Sequence, residues 1–130
     1  MRPTMLLFLT SAFVACATPQ AETPRVRVLV LSSGDDGLTG RLAEAIRHGL
    51  QDSRGYASIP IGEPPDLVIS IESNVRPTFV EDVMYANYDV RFYRPIDYRI
   101  TVGRSAGGCR AQRVEDCAET ILRDFYALNR

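Results

Sequence analysis

The chain has 130 residues, 45% hydrophobic and 24% charged, with a formal net charge of −1. That length is room for one domain, and the composition is too apolar and too balanced for a disordered chain. The charge balance points to no strongly charged partner, and the absence of lysine among the 15 basic residues reads mainly as genome bias.

The chain opens "MRPTMLLFLTSAFVACATPQAETP". Arg2 supplies a positive start, and Met5 to Ala15 is an apolar run of 11 residues followed by small ones. This is the layout of a bacterial export signal, and the run is too short to span a bilayer. "FVAC" resembles the lipobox of bacterial lipoproteins. The resemblance implies cleavage before Cys16 and a lipid on that cysteine. Ala15 and Ala17 also form an A-x-A site, so cleavage after Ala17 to give a soluble exported protein is the alternative. We therefore divide the chain into a signal peptide (1–15), a lipidated cysteine with its linker (16–24) and one α/β domain (25–130).

"RVRVLVLSS" is dense in β-branched residues and predicts a central strand buried on both faces. In "GLTGRLAEAIRHGLQDS", Leu38, Leu42, Ile46 and Leu50 recur every four residues with Ala45 beside them, the mark of an amphipathic helix. Asp35 or Asp36 is placed to cap it. "YASIPI" predicts a short strand that Pro60 and then "GEPP" place at an edge or bring to an end. "DLVISIES" predicts a firmer strand with Leu67, Ile69 and Ile71 on one face. "NVRPTFVEDVMYA" reads as a possible strand extension followed by a loop. "NYDVRFYRPIDYRITVG" predicts a hairpin turning at "RPID", with Tyr88, Val90 and Phe92 facing one way and Asp89, Arg91 and Tyr93 the other. "RSAGG" breaks the pattern. In "RVEDCAETILRDFYALNR", Val114, Cys117, Ala118, Ile121, Leu122, Phe125 and Leu128 make an apolar helical stripe.

The order β-α-β-β-β-(β)-α predicts a two-layer α/β sandwich: two helices on one face of a roughly four-stranded mixed sheet, the other face left to solvent or a partner. Cys16 leaves the pool of free thiols on either cleavage reading. Cys109 and Cys117 remain as an even pair in an oxidising compartment, which predicts a disulfide. A metal clip needs further ligands, and His48 is the only histidine. The bridge is expected to pin the first turn of the last helix to the loop arriving from the sheet.

No catalytic constellation emerges, so we expect no enzyme and no cofactor. "SGDDGLTG" lacks the spacing and the lysine of a phosphate loop, and no G-x-S-x-G frames a serine for His48. One charge pattern is distinctive. Arg91, Arg94, Arg99, Arg104, Arg110 and Arg113 fall in one segment against the single acid Asp97. Arg91, Tyr93, Arg99 and Arg104 are the candidate partner-binding face, since arginine and tyrosine on an open sheet suit an anionic partner. In an exported protein that partner is lipopolysaccharide, glycan or an envelope protein rather than nucleic acid.

"VRVLVLSSGDDGLTGRLAEAIRHGLQD" with "PPDLVISIES" resembles a small module of Gram-negative envelope lipoproteins, and is close in pattern to the lipopolysaccharide-assembly family. It is similar in layout to curli-secretion lipoproteins and to lipoprotein activators of penicillin-binding proteins. The resemblance implies an outer-membrane lipoprotein facing the periplasm, anchored by lipid on Cys16 and acting as a non-enzymatic assembly module. The alternative is a soluble exported protein that binds a small anionic ligand.

Overall fold

The computed structural model describes residues 25–95 and 100–128. Along the chain run β1 (Val26–Ser32), α1 (Gly37–Gln51), β2 (Tyr56–Ile59), β3 (Leu67–Ile71), β4 (Arg76–Val80), β5 (Val83–Tyr93), β6 (Thr101–Arg110), a 3₁₀ turn (Ala111–Arg113) and α2 (Val114–Ala127). The six strands form one mixed sheet. β1 lies between β2 and β3 and is parallel to both. β5 is antiparallel to β3, β4 and β6. β6 lies along one side of β5, against Tyr85–Tyr93. β3 and β4 share the other, β3 against Val90–Tyr93 and β4 against Val83–Asn87.

Both helices cover one face, and the main core lies between. Val28 and Val30 of β1, Ile69 and Ile71 of β3, and Val90 and Phe92 of β5 meet Leu42, Ile46 and Leu50 of α1 and Ile121 and Phe125 of α2. Phe125 packs edge-on against Phe92, with ring centroids 5.2 Å apart. Such tilted pairs contribute beyond the area they bury. The stripe of α1 is shifted slightly from the sequence reading: Thr39 and Ala43 are buried with Leu42, Ile46 and Leu50, while Leu38 and Ala45 are half-buried. Thr39 is tolerated there because its hydroxyl accepts the backbone N–H of Val75 at 2.9 Å.

The helices begin differently. Asp36 caps α1, its carboxylate accepting the Thr39 N–H at 2.6 Å. No side chain caps α2, although Glu115 and Asp116 in its first turn meet the positive end of the helix dipole. The Cys109–Cys117 disulfide fastens that turn, with Cα atoms 5.5 Å apart. Its other end is the last part of β6, not a loop.

Two expectations are corrected. The described residues form six strands rather than roughly four: where a loop was expected, "RPTFV" forms β4 and "VMYA" lengthens β5, joining them in a hairpin. Its turn is Glu81-Asp82, both at positive φ (49° and 64°), the two-residue geometry that fits the strand twist. "RSAGG" also does not break the sheet, since β6 runs through it to Arg110. Its glycines are packing residues. A Cβ on Gly103 would lie 2.7 Å from Leu128 and 2.9 Å from Phe92, and one on Gly107 would lie 3.1 Å from the Tyr88 hydroxyl.

Candidate interaction surface

The face of the sheet away from the helices carries Arg91, Tyr93 and Arg104 of the residues that the arginine pattern singled out. Alternation along β5 puts Asp89, Arg91 and Tyr93 there, opposite in direction to Val90 and Phe92. Register sets Arg104 of β6 directly beside Arg91. Two like charges opposite each other destabilise a sheet unless acids separate them, and two acids do. Arg104 grips Asp89 with two hydrogen bonds, Nε to Oδ1 at 2.7 Å and Nη2 to Oδ2 at 2.6 Å. Arg91 reaches Glu72 Oε2 at 3.5 Å. The Tyr93 hydroxyl donates to the other oxygen of Glu72.

Electrostatics follow the geometry. The hydrogen bond from Arg104 holds the Asp89 carboxyl below its ordinary value; burial opposes it, and the charges of Arg104 and then Arg91 add to the lowering. The same pair raises the Arg104 guanidinium. The arginines therefore sit in a face of alternating sign rather than in a bare cationic patch.

Tyr93 is not an exposed contact residue. It is 7% exposed and packs with Leu29 and Val68, with Leu31 and Ile59 at the margin, in a second small apolar cluster. That cluster is why β1 reads as buried on both faces. Arg99 and Cys16 lie outside the described residues, as do the signal peptide and linker. The sequence reading missed Glu72 and Asp89. Period-two alternation already placed Asp89 on the same face as Arg91, and Glu72 continues the face of Val68 and Ser70 past the end of β3.

Two further surfaces were not anticipated. A groove of about 970 Å³ runs along the outside of the helix layer, floored by Gly40, Ala45, Val114, Ala118, Leu122 and Tyr126. Arg41, Glu44, His48, Glu119 and Arg123 rim it, and His48 is exposed there. Burial, the main cause, raises the Tyr126 hydroxyl above its ordinary value, with the charge of Tyr56 adding and a hydrogen bond with Ser53 opposing. The other surface is the β4–β5 hairpin, where Phe79 is 70% and Val80 57% exposed, with Val83 and Met84 beside them. Among the described residues no cluster of His, Cys, Asp and Glu could hold a metal, and no helix is long and apolar enough to cross a membrane.

No family model and no curated protein sequence matches the chain. Its fold does match solved structures. Protein XCC0632 from Xanthomonas campestris, of the DUF330 family, superposes with a TM-score of 0.58 at 13% identity, over 86% of this chain and 89% of that one. TolB from Acinetobacter baumannii gives 0.56 at 12% identity, over 84% of this chain, which spans only 29% of that one. A PelC dodecamer from Paraburkholderia phytofirmans gives 0.51 at 12% identity, over 80% of this chain and 88% of that one. At such identity the shared property is the fold.

Proposed function

We propose that the chain is an exported Gram-negative envelope lipoprotein, tethered through Cys16, whose α/β domain is a non-enzymatic docking module for a protein partner. The observation that carries the partner's class is the neutralised sheet face. Arg91 and Arg104 are already matched by Glu72 and Asp89. A small anion would have to displace a carboxylate held by two hydrogen bonds, which makes capture of a lone phosphate or carboxylate unfavourable. A protein surface of alternating sign meets both charges at once and gains orientation from them. Arg91, Tyr93 and Arg104 mark that face, with Tyr93 as its buried floor.

The compartment rests on the leader pattern, and the fold agrees with it: TolB and XCC0632 are proteins of the Gram-negative envelope. The disulfide suits an oxidising compartment. The fold matched in PelC occurs there in an assembled dodecamer, which supports assembly over catalysis as the kind of work this chain does.

Fractionation tests the tether. Wild-type protein should sediment with membranes and carry the mass of a lipidated Cys16, and Cys16→Ser should release it. A wild-type protein that is soluble and begins at Thr18 would refute the tether. Titration calorimetry with inorganic phosphate addresses the partner: no heat is expected, and saturable binding that Arg91→Glu abolishes would favour the anionic-ligand reading instead.

A further inference from the structure

We propose that the outer edge of β4 pairs antiparallel with the same edge of a second copy of this chain, in the register that sets Phe79 against Phe79. The argument begins with which backbone groups point outward. Among the described residues β4 has a strand on one side only, β5. A two-residue turn at Glu81-Asp82 makes Val80 and Val83 exchange both ladder bonds. From there bonded and non-bonded pairs alternate, so Thr78 and Arg76 bond inward to β5 while Phe79 and Pro77 turn their backbone groups outward.

The outward row is nearly closed to a partner. The N–H of Val75 is taken by Thr39. Pro77 has no N–H to give. Phe79 alone among Val75, Pro77 and Phe79 presents both a donor and an acceptor, under a side chain that is 70% exposed. A register that opposes Phe79 to Pro77 leaves a carbonyl of Phe79 unpaired on each copy. The register that opposes Phe79 to itself uses both groups of both copies.

That register also aligns charge. Antiparallel pairing about Phe79 sets Thr78 opposite Val80 and brings Arg76 at the start of each β4 beside the Glu81-Asp82 turn at the end of the other. Arg76 is exposed and makes no ion pair with another described residue. A strand with a cation at its start and acids at its end complements itself only when the second copy runs the other way. The contact is isologous and closes as a dimer. It sets the two exposed Phe79 side chains against each other on one face of the joined sheet. The pairing depends neither on the lipid nor on the Arg91–Arg104 face.

Sedimentation velocity of the purified full chain tests it. We expect a reversible monomer–dimer equilibrium below roughly 100 µM, the range for a small interface. Arg76→Glu and Asp82→Arg should each weaken it about tenfold or more. An equimolar mixture of the two variants should restore the dimer, because opposite charges then face each other at both ends. Phe79→Pro, which removes the outward donor without touching the inward bonds, should abolish it. A monomeric wild-type chain, or a dimer indifferent to Arg76→Glu, would overturn the proposal. Should Phe79→Pro unfold the chain, visible as lost circular dichroism, restoration on mixing still decides.

Discussion

β5 is one strand with two surroundings. Its second half, Tyr88 to Tyr93, lies between β6 on one side and, from Val90, β3 on the other, and α2 covers it. Phe92 there is fully buried. Its first half lies between β6 and β4, and its hairpin partner Phe79 is 70% exposed. Side chains alternate in direction through both halves, although residue type follows that alternation only in the second, where Tyr88, Val90 and Phe92 alternate with Asp89 and Arg91. Alternation therefore decides which way a side chain points, and a covering helix decides whether that direction is the core. The apolar surface on offer is at the hairpin tip, where Val83 and Met84 join Phe79 and Val80, while Ala86 of the same half is fully buried.

The two phenylalanines give the widest contrast. Phe92→Ala should destabilise the fold by about 3–5 kcal/mol, since it opens a cavity against Phe125. Phe79→Ala, measured at concentrations where the chain is monomeric, should change stability by no more than about 0.5 kcal/mol. Equal losses in urea unfolding would erase the distinction between the halves. The bridge comes next. Cys109 pairs in register with Ala86, near where the covered half begins, and ties it to the uncapped start of α2. Replacing both Cys109 and Cys117 by serine should lower stability by about 2–3 kcal/mol on the loop-entropy model. A melting temperature unchanged by the replacement would show that α2 holds itself. The smallest effect belongs to the open face of the same strand. Asp89 has a folded-state value below its ordinary 3.8, so its pairing with Arg104 stabilises the fold above about pH 4 and fades as pH falls through the depressed value. Asp89→Asn should slightly flatten the acid limb of a stability profile. Because the pair is exposed, the change is small, and an identical profile would mean that it contributes nothing.

The legible parts were those where one local rule decides. The four-residue spacing of Leu42, Ile46 and Leu50 and the acid just before α1 marked that helix, and Asp36 is its cap. Pro60 marked β2 as an edge strand or its end, and β2 both lies at the edge and stops at Ile59. Cys109 and Cys117 followed from compartment and parity. The unread parts depend on distant neighbours. Gly103 and Gly107 look like breakers locally, yet Leu128, Phe92 and Tyr88 need their missing side chains. The Glu81-Asp82 turn lacks the asparagine or glycine that usually signals such a hairpin. At the candidate site, alternation placed Arg91 and Tyr93 on the open face. The count of charges along the segment hid their neutralisation, because Glu72 arrives from β3, far back in the chain.

The parallel neighbours of β1 have a mechanical consequence. Tension applied through the residues before Arg25 enters at the beginning of β1 and runs along its axis. The ladders to β2 and β3 lie across that axis on both sides. Their bonds are loaded in shear and share the force, whereas a strand pulled sideways gives them up one at a time. β4 continues in the direction of β3 past the far end of β1, so the hairpin tip stands on the order of 40 Å from the start of β3, at about 3.3 Å per residue. A chain held by its beginning and loaded at its tip is thus pulled along the stiff length of the sheet.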